Sequence, residues 1–163
     1  MTNQPADLQR APKEPFLHLP VPWVFVLGFL LGVGLQLVVP INVNSGVMGT
    51  MVPIAGGIVF LAGAVLAGWG WWLFHQAQTT TVPGEASRML ITTGPYRFTR
   101  NPMYLGLTLC YLGEAGLLLL VWPLPLLLFV LGYVHFFVIP VEEASLRAFE
   151  GYDAYRARVR RWL

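Results

Sequence analysis

The sequence contains few charged residues and a single cysteine. Only 11% of its 163 residues are Asp, Glu, Lys or Arg, whereas soluble domains carry about 25%. Hydrophobic residues make up 56% of the chain and the mean hydropathy is +0.62, which excludes an ordinary soluble domain and indicates several membrane spans. Cys110 lies in an apolar run, so the sequence predicts neither a disulfide framework nor a metal site built on thiols.

Several catalytic and binding motifs are also missing. The sequence has no Gly-rich phosphate loop after a strand, no HExxH helix, no Ser-centred elbow and no Cys/His ligand spacing. Metal-dependent hydrolysis, nucleotide hydrolysis and acyl-serine chemistry therefore have no support, and no metal site is predicted. Nucleic-acid binding is not predicted either, because the basic residues all lie at the edges of apolar runs.

Four apolar runs approach or exceed the about 20 residues that a membrane-spanning helix requires. They occupy residues 21–39, 47–74, 103–121 and 123–141. Only Trp122 separates the last two runs, which are predicted to form a tight helical hairpin. The predicted fold is an all-α integral membrane protein with four transmembrane helices, in a single domain over residues 21–163 after a polar tail over residues 1–20.

Glycines in the first two runs predict close contact between helices. Gly28 and Gly32 form a small-xxx-small pair, a pattern typical of helix packing in membranes. The second run contains further glycines of the same kind, namely Gly56, Gly57, Gly63, Gly68 and Gly70.

The basic residues predict how the spans are oriented. All ten Lys and Arg residues fall in the N-terminal tail, in the connection at 75–102 or after residue 141. With four spans these three segments lie on one side of the membrane, which the positive-inside rule makes cytoplasmic. Both termini are therefore predicted to be cytoplasmic, at the inner or plasma membrane if the protein is bacterial.

The C-terminal residues 142–163 are predicted to form an amphipathic helix at the membrane interface. Apolar residues recur there at three- and four-residue steps, which is one face of a helix. They are Leu146, Phe149, Tyr152, Tyr155, Val159 and Trp162. Such a helix lies in the headgroup boundary or against the bundle. Its arginines fit a basic anchor for anionic lipid at least as well as a catalytic role.

The segment GPYRFTRNPMYLG, residues 94–106, places polar groups where an apolar run begins. Asn101 is predicted as the N-cap and Pro102 as the first residue of a new helix, whose free amides suit an anionic group such as a carboxylate. The 94–106 segment also contains two cations and two hydroxylated aromatic rings, from Arg97, Arg100, Tyr96 and Tyr104. A lipid role is the alternative, in which the two arginines bind lipid phosphates at the membrane edge.

Acidic residues stand at the end of the last apolar run. Glu142 and Glu143 lie at the end of a helix dipole that is unfavourable for negative charge, so a cationic partner is expected, either Arg97 or Arg100 or a cationic ligand. The alternative is that the two acids form the first turn of the interfacial helix.

Two further ionisable residues lie inside the apolar runs. His135 precedes Glu142 by seven residues, which places it on the same helical face about 10 Å deeper. An ionisable residue inside a span is a functional hypothesis. Glu114 lies about 18 Å from Pro102 along the third run and is not predicted to be catalytic.

Taken in order, these motifs resemble one group of membrane enzymes. LITTGPYRFTRNPMYLG, an apolar hairpin, and EEASL with a Tyr- and Arg-rich tail are similar to the isoprenylcysteine carboxyl methyltransferase and phospholipid methyltransferase superfamily. The resemblance implies S-adenosylmethionine as methyl donor, held at the cytoplasmic end of the bundle without a Rossmann domain. The implied cofactor contacts are Arg88, Met89, Leu90, Ile91, Tyr96, Asn101, Pro102, Met103, Tyr104 and Glu142.

The residues fit the chemistry that the resemblance implies. Tyrosine faces attract a sulfonium by cation–π interaction, Glu142 can bind a cation, and the helix start at Asn101 or the nearby arginines can bind a carboxylate. Alignment of donor and acceptor supplies about 7–11 kcal/mol of barrier reduction. A base is needed only for an acceptor that arrives protonated, and His135 or Glu143 could serve. The predicted catalytic residues are Arg100, His135 and Glu143.

The sequence thus predicts an S-adenosylmethionine-dependent enzyme that methylates a lipophilic acceptor arriving from the bilayer. An isoprenylcysteine-like carboxylate is placed first, with phospholipid amines and small thiols as alternatives. The hypothesis from another class is a non-catalytic membrane module that binds anionic lipid or a partner through its basic edge. The predicted partners are the lipophilic substrate and membrane lipids, and the sequence does not predict an oligomeric state.

Overall fold

The protein is described by a computed structural model that covers residues 20–43, 46–77 and 90–163. Most of the predicted N-terminal tail and two predicted cofactor contacts, Arg88 and Met89, lie outside the described residues. The fold is all-α, as predicted. Its helices are α1 (Val21–Val38), α2 (Gly46–Gln76), α3 (Pro102–Leu117), α4 (Pro123–Leu146) and α5 (Tyr152–Arg158), with a 3-10 turn at Gly94–Arg97.

Helices α2 and α3 pack with their backbones in close contact. The backbones approach each other at glycines that recur every seven residues, namely Gly56 and Gly63 on α2 and Gly106 and Gly113 on α3, and Gly70 continues the repeat against the side chain of Met103. A seven-residue repeat keeps the same positions on the seam between two helices. The predicted close packing is confirmed at these α2 glycines, whereas Gly68 faces open space.

Replacing Gly63 with alanine is expected to destabilise the protein by about 1–3 kcal/mol, the usual cost of overpacking. A Cβ at Gly63 would lie 2.6 Å from the backbone nitrogen of Cys110, so the two helices would have to separate. Gly68→Ala, on the same helix, is the matched control. It should leave stability unchanged or raise it slightly, because alanine favours a helix by about 1 kcal/mol. Thermal unfolding in detergent micelles measures both, and equal melting temperatures would contradict the packing described.

Helix α1 packs against α4 through the predicted glycine pair. A Cβ at Gly28 would lie 2.7 Å from Val130, and one at Gly32 equally close to the backbone of Pro123. Phe29 of α1 also meets the ring of Tyr111 on α3 edge to face, with ring centroids 5.0 Å apart. These contacts place α1, α3 and α4 around one hydrophobic core.

Three of the described helices are long and apolar enough to cross a membrane: Val21–Val38, Gly46–Gln76 and Pro123–Leu146. Helix α3 has 16 residues and ends at Leu117, so the predicted third span at 103–121 extended too far and a fourth span is not confirmed by helix length. The helix ends where Leu119 adopts a positive φ of 55°. The turn at 118–122 does not continue the helix but contacts the end of α1, since Trp122 Nε1 donates to the Val39 carbonyl at 2.8 Å.

Helix α4 changes its winding in the middle. It is α-helical over Pro123–Tyr133, π-helical over Val134–Val138 and α-helical again over Ile139–Leu146. A π-helical turn accommodates one extra residue and occurs frequently at functional sites. The seven residues from His135 to Glu142 therefore do not make the two regular α-helical turns that the sequence spacing assumed.

The C-terminal residues do not form the single helix predicted over 142–163. Glu142 and Glu143 belong to α4, and a separate helix α5 begins after Gly151, whose φ of 84° interrupts the helical path. After α5 the chain is extended, and Arg160 pairs with Thr99 in a parallel β-bridge. The predicted apolar face is buried at Tyr152, Tyr155 and Val159, which pack against Leu90 and Leu146.

Candidate active site

Tyr104 and Glu142 meet at the end of the bundle where α3 begins and α4 ends. The Tyr104 hydroxyl donates a hydrogen bond to Oε1 of Glu142, which joins two residues 38 positions apart in the chain. Tyr104 is only 6% exposed. Pro102 at the first position of α3 fixes the helix start, which places Tyr104 in the first turn. The two separate sequence motifs therefore come together at one carboxylate.

Tyr96 lies beside this pair on the 3-10 turn and is also 6% exposed. Burial raises the pKa of the Tyr96 phenol, and the negative charge of Glu142 raises it further. Its ring contacts Phe74 of α2, with centroids 5.7 Å apart. A neutral phenol close to a carboxylate offers an aromatic face and negative charge to the same ligand, which suits a cation.

Asn101 is the N-cap residue of α3, as predicted. Its side chain forms no capping hydrogen bond. Nδ2 instead donates to the carbonyl oxygen of Arg161 at 2.8 Å, and the Thr99 hydroxyl donates to the same oxygen at 3.2 Å. The Asn101 amide thus ties the start of α3 to the C-terminal segment.

Glu143 forms an ion network with two arginines. Arg100 Nη1 lies 2.8 Å from Oε1, and Arg161 Nη2 lies 2.6 Å from Oε2. The side chains of Arg100 and Glu143 are 11% and 9% exposed. Arg100 also donates to the Tyr152 hydroxyl at 3.3 Å, and the hydrogen bond to Glu143 raises the pKa of Arg161. The expectation that an arginine of the 94–106 segment partners the acidic pair is confirmed for Arg100, whereas Arg97 is exposed.

Helix α5 holds the 3-10 turn in place. The Tyr155 hydroxyl donates to the Tyr96 carbonyl oxygen at 2.8 Å, and burial raises the pKa of Tyr155 to about 12. Tyr155 and Arg161 were not among the predicted site residues, because one continuous helix would have put them at the lipid interface. Gly151 was the signal for a break, since glycine commonly ends helices.

His135 contacts neither glutamate through any hydrogen bond of the described residues. Its Nδ1 accepts a hydrogen bond of 3.0 Å from Nε1 of Trp162, against which the imidazole also stacks. It borders a cleft of about 390 Å³ between α3, α4 and the C-terminal segment. The cleft is lined by Leu105, Thr108, Leu131, Gly132, His135, Phe136 and Trp162.

The other predicted cofactor contacts take more structural positions. Pro102 is fully buried, and the Met103 side chain fills the space beside Gly70. Leu90 packs on the C-terminal aromatic cluster, and Ile91 is half-buried next to it in sequence. Of the predicted cofactor contacts, Tyr96, Tyr104 and Glu142 are the ones that lie together with polar groups suited to binding a ligand.

Comparison with known proteins agrees with the superfamily resemblance. A protein-family model described as phospholipid methyltransferase matches residues 51–150, which is more than half of the chain. The match includes the 94–106 segment and both glutamates. Neither the curated proteins nor the solved structures give a significant match.

Proposed function

The chain belongs to the phospholipid methyltransferase family of S-adenosylmethionine-dependent membrane enzymes, and on this premise we propose that it methylates a membrane lipid at the Tyr104–Glu142 pair. The observation that carries this proposal is the hydrogen bond between Tyr104 and Glu142 with Tyr96 beside it. One carboxylate between two phenol rings is a suitable site for a ligand with positive charge.

The residues present fit S-adenosylmethionine. The cofactor supplies an electrophilic methyl group on a sulfonium cation, and it also carries an ammonium and a carboxylate. Glu142 binds the ammonium, and the faces of Tyr96 and Tyr104 attract the sulfonium by about 0.5–2 kcal/mol. The exposed guanidinium of Arg97 and the free amides at the start of α3 remain for the carboxylate.

The protein contributes mainly alignment and exclusion of water. Glu143 already binds guanidinium groups through both oxygens, and Nδ1 of His135 is bonded to Trp162. We therefore assign neither residue the role of general base, although both were predicted to be catalytic. Arg100, the third predicted catalytic residue, is assigned the role of ion-pair partner of Glu143. An amine acceptor would lose its proton to water at the membrane edge before transfer.

Among the acceptors considered, we place a phospholipid amine first. The family description favours it, and so does the pairing of Arg100 and Arg161 with Glu143, which leaves them unavailable to a substrate carboxylate. Val138 and Ile139, which precede the acidic pair on α4, are apolar and at most 1% exposed. An isoprenylcysteine carboxylate, placed first from the sequence, therefore ranks second.

The arrangement of the helices supports a four-helix topology with the site facing the cytoplasm. Gly70 near the end of α2 meets Met103 at the start of α3, and Gly56 near the start of α2 meets Leu117, so the two helices are antiparallel. The starts of α1 and α3 and the ends of α2 and α4 then share one end of the bundle. The described arginines lie at that end, as the positive-inside rule requires of a cytoplasmic face.

Two measurements on the purified protein test this function. Calorimetry with S-adenosylhomocysteine should give binding, and a methyl-labelled donor should transfer label into a total lipid extract, with the product identified by mass. Absence of binding would overturn the enzyme assignment in favour of a lipid-binding module. Binding followed by labelling of protein or of a volatile thioether would keep the cofactor site and reject the lipid acceptor.

A further inference from the structure

The cleft beside His135 is lined by residues that directly follow, or are bonded to, residues of the candidate site. On α3, Leu105 directly follows Tyr104, and the Thr108 hydroxyl donates to the Tyr104 carbonyl oxygen at 2.7 Å. On the C-terminal segment, Trp162 directly follows Arg161, which binds Glu143. A volume of about 390 Å³ falls in the range of about 300–1,000 Å³ typical of small-molecule sites.

The cleft suits a hydrocarbon chain that arrives from the bilayer. Most of its wall is formed by leucine and aromatic side chains and by the backbone of Gly132. Phe136, on the outer wall, is 70% exposed on a helix that is long and apolar enough to span a membrane, so the cleft opens on the lipid-facing surface. An acyl chain can therefore enter sideways while the polar head of the same molecule reaches Tyr104.

His135 presents a hydrogen-bond donor at this cleft. An indole nitrogen can only donate, so the bond from Trp162 requires Nδ1 of His135 to be an acceptor. A neutral imidazole with an unprotonated Nδ1 carries its proton on Nε2. Among the described residues no group bonds Nε2, and the half-buried ring lines the cleft. Trp162 thus fixes the tautomer that leaves an N–H available to a ligand.

The distance along α4 between His135 and Glu142 is compatible with the length of a glycerophospholipid head group. Because the π-helical turn at Val134–Val138 takes up one extra residue, the seven positions from His135 to Glu142 rise about as far as six residues of a regular helix, which is about 9 Å. In a phosphoethanolamine lipid, ten bonds join the amine nitrogen to the nearer ester carbonyl oxygen. At about 1.2 Å per bond in an extended chain, this distance is about 12 Å. An amine at the methyl-transfer site therefore places an ester carbonyl within reach of His135.

We propose that His135 determines acceptor specificity by donating an Nε2–H hydrogen bond to an ester carbonyl of a diacyl phospholipid amine whose acyl chain occupies the cleft. Trp162 is the positioning residue that holds His135 in the required tautomer. The inference rests on the proposed function and deepens it, because it names the part of the acceptor that the enzyme recognises apart from its reactive amine.

Two acceptors and two His135 variants test this proposal. The acceptors are a diacyl phosphoethanolamine lipid and its dialkyl ether analogue, which lacks the carbonyl oxygens. His135→Phe should raise the KM for the diacyl lipid about tenfold, because the ester carbonyl loses its hydrogen-bond donor. The KM for the ether lipid should not change. His135→Gln should restore the diacyl KM to within about threefold, because the glutamine amide replaces the donor. His75→Phe, an exposed histidine at the end of α2, is the matched control.

A second variant tests the positioning role of Trp162. Trp162→Phe removes the indole N–H and should raise the diacyl KM by itself, with no further rise in the His135→Phe background, because both changes remove one interaction. An equal effect of His135→Phe on diacyl and ether lipids would overturn the proposal while leaving the enzyme assignment intact. Transfer to neither lipid by the wild type, with S-adenosylhomocysteine still bound, would overturn the phospholipid acceptor and this proposal together.

Discussion

Replacing Glu142 with alanine is expected to weaken S-adenosylhomocysteine binding about 100-fold, which corresponds to about 2.7 kcal/mol. The carboxylate is held by Tyr104 and flanked by the buried Tyr96, so the bond that we propose to the ligand ammonium would form in a largely desolvated place. Removing one partner of such a charge pair costs about 2–5 kcal/mol in other complexes. Calorimetry of the purified protein in detergent measures the change directly.

A second variant in the same experiment is expected to lose less affinity. Tyr104→Phe keeps the ring and removes the hydroxyl that orients Glu142, so a smaller loss of about tenfold is expected, as for one charge-assisted hydrogen bond. Glu150→Ala, an exposed acid beyond α4, is the matched control and should bind as tightly as the wild type. Unchanged affinity in Glu142→Ala would remove this carboxylate from the cofactor site.

Replacing Glu143 with glutamine is expected to destabilise the fold by about 3–5 kcal/mol, the usual cost of removing one partner of a buried ion pair. The amide cannot balance two guanidinium groups, and the Arg100 side chain is only 11% exposed. Denaturant titration followed by tryptophan fluorescence gives the free energy of unfolding. Arg161→Gln should cost less, because that side chain is 27% exposed and Arg100 still partners Glu143.

This prediction also decides between two roles for Glu143. A residue that acted as general base would lose methyl transfer on substitution by glutamine, with the free energy of unfolding unchanged. A residue that holds the C-terminal segment would lose stability, and the remaining folded fraction would still bind S-adenosylhomocysteine. Glu150→Gln shows the effect of the same substitution at an exposed position. Retained stability with lost transfer would restore the catalytic role predicted from the sequence.

Two adjacent acids therefore have separable effects. Glu142 and Glu143 project in different directions from α4, one to Tyr104 and the other to Arg100 and Arg161. Substitution of Glu142 should affect binding more than stability, and substitution of Glu143 the reverse. From the sequence alone the pair could be given a cationic partner but not divided in this way, because the division depends on which side chain faces α3.

The helical fold was predictable where apolar length and glycine spacing decide it. Residues 21–39 and 47–74 were predicted as spans and form α1 and α2 to within one to two residues at each end. The end of α3 was not predictable from hydropathy, since residues 118–121 are as apolar as the helix and the chain turns because Leu119 adopts a positive φ. The π-helical stretch of α4 also leaves no hydropathy signal, because its residues are apolar in either winding.

The parts of the site that lie in short, continuous sequence motifs could be predicted. The 94–106 segment and the acidic pair were expected to share one site, and the contacts of Tyr104 and Arg100 join them. The contribution of the C-terminal segment was not expected. The apolar residues from Leu146 to Trp162 fit the spacing of a single helix. That spacing therefore gives no sign of the break at Gly151 or of the extended residues beyond α5.

The contacts that complete the site connect residues far apart in sequence, which has a consequence for the order of folding. Tyr104 bonds a residue 38 positions away, Tyr155 one 59 positions away and Asn101 one 60 positions away. Closing long loops costs entropy before their contacts form. The antiparallel pair of α2 and α3 can associate earlier, because its seam begins with the contact between Gly70 and Met103, 33 positions apart, and each further contact closes only a short additional loop. The C-terminal contacts of the candidate site, which span 59 and 60 positions, are thus expected to form after this helix pair, and transient opening should begin there while the pair stays intact.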